Sequence, residues 1–156
     1  GTTTLANTTP LLHLQVPTDT TAIPLYVALT QTGTVAGGEI TIIIEIDNVD
    51  RYSSGGTTET VLSSRTDNPV TNACTLRSLP TLTAAYGVGI WHGEFIQDID
   101  PAVADDFKWH HFEWAPPVPI YLVGPASFQI HANAATTGPS YYWTVAWAEI
   151  PTTEIK

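Results

Sequence analysis

Two adjacent histidines, His110 and His111, are the first residues whose type suggests chemistry. Imidazoles bind zinc, and a tetrahedral site takes three or four N or S ligands. Neighbouring strand residues point to opposite faces, so one ion would not take both. A metal pair on a strand needs i, i+2 spacing, and Trp109 and Phe112 supply no ligand there. No CxxC, HxH or HExxH pattern occurs. The carboxylates form two loose groups. Asp47 and Asp50 bracket a strand end, and Asp98, Asp100, Asp105 and Asp106 share one segment. Calcium takes six to eight oxygens from loops of this kind, which makes the second group a weak calcium candidate. The Gly and closing Glu of an EF-hand are missing, and the segment reads as a solvated acidic loop. No metal and no cofactor is expected.

A glycosidase needs two carboxyl groups roughly 5–10 Å apart across a cleft. Glu94, Glu113 and Glu149 each stand among aromatics, in Trp91-His92-Gly93-Glu94, Phe112-Glu113-Trp114 and Trp147-Ala148-Glu149. Aromatics beside carboxylates suit sugar rings, but they equally suit strand packing, because Trp and Tyr bury large areas. No GxSxG, Walker A or GxGxxG motif is present. Cys74 is the lone cysteine, flanked by Asn72-Ala73 and Thr75-Leu76, and reads as a small buried apolar side chain. With no partner it forms no intrachain disulfide. No catalytic residue is assigned, and the chain is not expected to be an enzyme.

The elements that position these residues are strands. From Glu39 to Val49, Ile40, Ile42, Ile44 and Ile46 fall on one face, with Thr41, Ile43, Glu45 and Asp47 on the other. Period-two alternation of β-branched residues marks a strand buried on one side. Similar runs occupy Leu11–Val16 (Leu12, Leu14 and Val16 inward, His13 and Gln15 outward) and Ile23–Thr30 (Ile23, Leu25, Val27 and Leu29 inward). Pro24 suggests an edge position or a strand start. Thr58–Ser64, Ala73–Ser78, Ala84–Phe95, Phe107–Trp114, Ile120–Val123, Ser127–Ala132 and Tyr141–Ile150 follow. Glycines at 87, 89 and 93 point to a bulge or a close neighbouring backbone, and Ser53-Ser54-Gly55-Gly56 reads as a flexible loop. Eight to ten strands with turns every ten residues or so predict an all-β antiparallel sandwich of jelly-roll type. Residues 1–10 read as an N-terminal arm, 11–151 as one domain and 152–156 as a tail.

The chain has 156 residues, 43% hydrophobic and only 13% charged. Globular domains average roughly 25% charged. Lys plus Arg is 5 against 15 Asp plus Glu, a net charge of −10. Binding to phosphate backbones requires cations to displace counterions. Arg51, Arg65, Arg77, Lys108 and Lys156 are scattered, which argues against direct contact with nucleic acid or an anionic membrane. Trp143 and Trp147 share one face of the last strand, whereas Trp109 and Trp114 have opposite parity. Surplus aromatic surface on a low-charge protein points to a subunit interface. Trp91, Trp109, Trp114, Tyr141, Trp143 and Trp147 are therefore the candidate interface or glycan-platform residues.

From Thr9 to Pro151 the chain resembles small virion structural proteins of tailed bacteriophages found in environmental phage genomes. The resemblance is carried by Thr9-Pro10-Leu11-Leu12-His13-Leu14-Gln15, Arg51-Tyr52-Ser53-Ser54-Gly55-Gly56, Leu122-Val123-Gly124-Pro125-Ala126-Ser127 and Gly138-Pro139 through Trp147-Ala148-Glu149-Ile150-Pro151. It implies a jelly roll on the outer surface of the virion, a homotrimer decorating the capsid or forming a spike, with the major capsid protein among its partners. The family supplies no catalytic residues. The absence of a basic arm favours an external accessory protein over the main shell. The alternative is a carbohydrate-binding sandwich, as a receptor-binding or fibre-tip module, with Trp91, Trp109, Trp114 and Tyr141 as its platform.

Overall fold

The computed structural model describes residues 8–31, 38–67, 71–84, 88–97, 111–134 and 140–155. These residues form twelve strands and no α-helix. The strands are β1 (Leu12–Val16), β2 (Thr20–Gln31), β3 (Gly38–Asp47), β4 (Tyr52–Ser54), β5 (Thr57–Thr58), β6 (Thr75–Ser78), β7 (Thr81–Leu82), β8 (Val88–Gln97), β9 (His111–Trp114), β10 (Leu122–Val123), β11 (Ala126–Ala134) and β12 (Tyr141–Pro151). A 3-10 turn at Thr152–Glu154 follows β12. The predicted all-β antiparallel sandwich is the observed fold. The strand count exceeds the predicted one because β4 begins just before and runs into the segment read as a flexible loop, and β7 lies between two predicted strands. Of the predicted strand Thr58–Ser64 only Thr58, at the end of β5, is in a strand. Gly55 and Gly56 reverse the chain between β4 and β5 at φ of 67° and 75°, a region open to glycine at no steric cost.

Six strands form one sheet in the order β5-β6-β1-β11-β3-β8. In a second sheet β12 pairs with one edge of β2, and β9 and β10 lie end to end along the opposite edge, while β4 and β7 pair in a small third sheet. The pairs β1·β11, β2·β9 and β3·β8 are antiparallel and nested in sequence, so an inner hairpin lies within outer ones. The chain alternates between the two large sheets along β1–β2–β3 and along β10–β11–β12, and the core closes between them. Leu12, Leu14, Val16, Ile42, Ile44, Phe128 and Ile130 face it from the larger sheet, and Val27, Leu29, Phe112 and Trp114 from the smaller. Each fully buried aliphatic or Phe side chain of this kind contributes about 1.5–3 kcal/mol relative to exposure.

Two bulges reset the pleat. In β2 the register passes from Tyr26 opposite Ala146 to Pro24 opposite Trp147, skipping Leu25. The predicted inward row of β2 therefore holds only for Val27 and Leu29. Beyond the bulge Pro24 and Ala22 turn inward, and Leu25 is left 49% exposed. Pro24 falls between the segments paired to β10 and to β9, opposite Trp147 of β12. It sits inside a central strand, contrary to the edge or start position expected, because the bulge accommodates it. The bulge anticipated from the glycines of β8 lies at Ile90, between Gly89 and Trp91.

Gly124 occupies the tightest junction. Its N–H donates to the Thr20 carbonyl (2.9 Å), and a Cβ placed there would strike the Pro17 carbonyl oxygen. This residue fastens the β1–β2 turn to the β10–β11 turn. Gly124→Ala is expected to destabilise by about 2 kcal/mol, the usual scale for overpacking. The check is a lower urea midpoint at unchanged slope.

Candidate functional site

At one end of the sandwich a groove of about 580 Å³ opens between the sheets. Its lining comes from the end of β3 and the residues after it (Ile46, Asp47, Asn48, Arg51), the start of β8 (Val88), β10 with its lead-in (Tyr121, Leu122, Val123) and the start of β11 (Ala126). Leu122 and Ala126 are buried and form an apolar floor. Tyr121, Val88 and Val123 are exposed. Asp47, Asn48 and Arg51 supply the polar lining. Arg51 Nε donates to Asp47 Oδ2 at 2.7 Å, with side-chain exposures of 25% and 8%.

The polar lining is rigid because of what lies behind it. Ser127 Oγ donates to the Val49 carbonyl (2.8 Å) and accepts from the Arg51 N–H (3.0 Å). The Arg51 carbonyl accepts from the Thr83 N–H (2.9 Å). Since the Ser127 hydroxyl proton goes to Val49, His13 Nε2 must be the donor in its 3.2 Å bond to Ser127 Oγ. That assigns the neutral Nε2–H tautomer to His13 and leaves Nδ1 as a bare acceptor without a partner.

His13 belongs to a polar seam on the face of the larger sheet that points away from the core. The register places Arg77, His13, Gln129 and Glu45 in one row across four strands, and Thr75, Gln15, Ser127 and Asp47 in the next. His13 and Gln15 were expected to face solvent. They do leave the core, but His13 is 0% exposed because another layer covers it. Tyr52 stacks over His13, with ring centroids 6.4 Å apart, and the Arg77 guanidinium lies 3.9 Å over Tyr52. Gln15 joins the layers, donating to Asp50 Oδ2 (2.5 Å) and accepting from Arg77 Nη1 (2.7 Å). Further along, His131 Nε2 is bonded to Gln129 Oε1 (3.2 Å). Glu45 Oε2 lies 3.3 Å from the same nitrogen yet has no hydrogen bond. Among the described residues no three His, Cys, Asp or Glu side chains converge to hold a metal ion.

The aromatic candidates turn mainly toward the core. Trp114 is 7% exposed and packs on Phe128 at 5.8 Å between ring centroids. Trp91 packs on Phe112 at 4.4 Å and folds over Gly93 of its own strand. Tyr141, Trp143 and Trp147 line the inward face of β12 against the core, and burial pushes the Tyr141 phenol up to about 12. Their rings are largely occupied by protein rather than open to a sugar. Trp109 and the four aspartates at 98, 100, 105 and 106 lie outside the described residues, as does the side chain of Glu94. Glu113 and Glu149 stand on opposite faces of the smaller sheet, so no single cleft receives both. Glu149 faces inward and accepts from the Ala73 N–H (2.7 Å), the Cys74 N–H (3.2 Å) and Trp147 Nε1 (2.7 Å). Cys74 is buried and free, and burial, followed by the nearby Glu149, pushes its thiol well above the usual range.

The outward face of the smaller sheet is open. Tyr142 is 77% exposed, with Thr144 beside it. Across the sheet Tyr26 donates to Glu113 Oε1 (2.6 Å), His111 Nε2 bonds the same oxygen (3.1 Å), and His111 Nδ1 meets Thr30 Oγ1 (2.8 Å). The Tyr26 bond, then the His111 bond, hold Glu113 below the ordinary carboxylate range. Hydroxyl, imidazole and carboxylate stand in the order of a nucleophilic relay. They lie, however, on an exposed pleat of the smaller sheet, outside the groove lining. The sequence singled out Asp47 in a loose carboxylate pair but did not bring it together with the rest of the groove. Tyr121, Asn48 and Arg51 sit in or beside turns and join only because β3 and β10 end at the same corner.

Fold and sites together define an antiparallel β-sandwich with a buried polar seam, an open sheet face and a groove at one end. No protein-family model, curated protein or solved structure matches the chain.

Proposed function

We propose that this chain is a non-enzymatic virion structural subunit, an external capsid decoration or spike component that works by associating with copies of itself. The observation that carries the reading is β12. It is an eleven-residue strand at the edge of its sheet among the described residues. Natural edges are blunted by Lys, Pro, bulges or covering loops. The only charge in β12 is Glu149, which faces inward, and its only Pro is the last residue. The local bulge belongs to β2 and leaves β12 regular. Such an edge suits the addition of a strand from another chain. The adjoining open face presents Tyr142, Thr144 and Tyr26, and its His111 and Glu113 are bonded to each other. Copies of an acidic chain repel one another generally, and a face whose one carboxylate, Glu113, is already hydrogen-bonded to Tyr26 and His111 is where that repulsion is small.

The nested pairs β1·β11, β2·β9 and β3·β8 support a jelly-roll reading, since a jelly roll is one long antiparallel ribbon wound across two sheets. Together with the phage virion resemblance this favours a homotrimer on the outer surface of the particle, contacting other virion proteins such as the major capsid protein. The net charge of −10 keeps such a subunit off the genome. Light scattering at micromolar concentration is expected to give a trimer. Tyr142→Arg should shift it toward monomer with unchanged far-ultraviolet circular dichroism. A monomeric wild-type chain would overturn the reading.

A further inference from the structure

We infer that the groove between β3 and β10 binds a neutral saccharide. The inference does not depend on oligomeric state or on the virion reading. The groove's volume, about 580 Å³, lies within the roughly 300–1,000 Å³ range of small-molecule sites. Its lining is divided between two chemistries, and this division selects the ligand. Tyr121 is 54% exposed, beside Val88 and Val123, and offers an apolar surface that suits the C–H face of a pyranose. The same lining carries a carboxylate, an amide and a guanidinium, the groups that bond vicinal hydroxyls in pairs.

Hydrogen-bonding capacity of these groups is unused. Asp47, whose side chain is only 8% exposed, engages one oxygen with Arg51 Nε. Its Oδ1 meets no protein donor among the described residues, and the two terminal nitrogens of Arg51 meet no acceptor. The Asn48 amide and the Tyr121 hydroxyl are likewise unbonded among the described residues. A partly buried charge with open valence is costly unless a ligand or water completes it. The geometry is fixed in advance by the bonds from Ser127 and Thr83 to the Arg51 backbone, which lowers the ordering cost of binding.

Charge argues against anionic occupants of the groove. Asp47 cancels Arg51 within 2.7 Å, so no net positive charge remains to hold a phosphate or carboxylate. The −10 charge of the chain repels anions further. A purely apolar ligand would bury Asp47 and Arg51 without replacing their water, which is unfavourable. A saccharide without charge meets both chemistries.

Saturation-transfer difference NMR tests this, with the whole chain against millimolar glucose, galactose, mannose and N-acetylglucosamine, and sialic acid as the anionic comparison. At least one neutral sugar is expected to receive saturation and sialic acid none. Tyr121→Ala should weaken the response at least tenfold. That ring is exposed and outside the core, so the variant's circular dichroism should match wild type. Asn48→Ala, at an exposed turn, should weaken it several-fold. No transfer to any of the four neutral sugars would overturn the inference. So would a stronger response from sialic acid, or responses unchanged in both variants.

Discussion

Phe128→Ala is expected to cost about 4 kcal/mol, the middle of the range for deleting a fully buried Phe. Phe128 is 1% exposed and stands at the crossing of the molecule's two axes of contact. Within the larger sheet the register sets it between Leu14 of β1 and Ile46 of β3. Across the sandwich it meets Trp114 of the smaller sheet. Removing the ring opens a cavity bounded by both sheets, whose pleated backbones are held by ladder bonds and collapse little. Phe128→Leu keeps most of the volume and should cost about 1.5 kcal/mol. Urea unfolding at pH 7 measures both. For a chain of this length the Ala variant should melt about 12 °C lower, at the usual 2–4 °C per kcal/mol. A cost under 1 kcal/mol would mean that the sheets do not close over this ring.

Much of this arrangement was legible in the sequence, for a definite reason. Where one face of a strand meets the core and the partner strand is regular, alternation reports burial directly. That holds for Leu12, Leu14 and Val16, for Ile42 and Ile44, and for Trp143 and Val145, all of which turn toward the core. The reading failed where a single residue slipped the register. Leu25 lies between Tyr26 and Pro24, and nothing in Ile23-Pro24-Leu25-Tyr26 announces that β12 skips it. Parity then reversed for the rest of β2.

A second kind of failure concerns polar residues. His13 and Gln15 alternate correctly with Leu12 and Leu14, and alternation equates the off-core side with water. Here a short ribbon, pinned by Tyr52, Arg77 and Asp50, covers that side. Sequence periodicity carries no information about a layer added by residues forty or sixty positions away. The groove was illegible for the same reason. Its polar and aromatic residues are separated by about seventy positions, and the β1–β2 and β10–β11 turns that meet at Gly124 bring that corner of the smaller sheet together.

Acid should weaken this protein by loading a proton on His13. Burial lowers its pKa from 6.5 to about 4. Among the neighbouring charges Asp50 favours the imidazolium, while Arg77 and His131 oppose it. The hydrogen-bond pattern explains the same preference, because a proton on Nδ1 would find no acceptor. Between pH 6.5 and 4 the unfolded chain binds a proton at this position and the folded chain does not. Stability from this group is therefore complete above pH 6.5 and falls as the pH drops toward 4. At about 1.4 kcal/mol per pH unit, the whole window amounts to about 3 kcal/mol. The loss should begin with the outer layer, since Tyr52 covers His13 and Arg51 hangs on Ser127, the partner of His13. Urea midpoints at pH 7.5, 6, 5 and 4.5 should decline steadily in wild type. His13→Gln keeps a donor for Ser127 and removes the titration, so its decline over the same range should be smaller by most of that amount. Equal slopes in the two proteins would show that the acid sensitivity resides elsewhere.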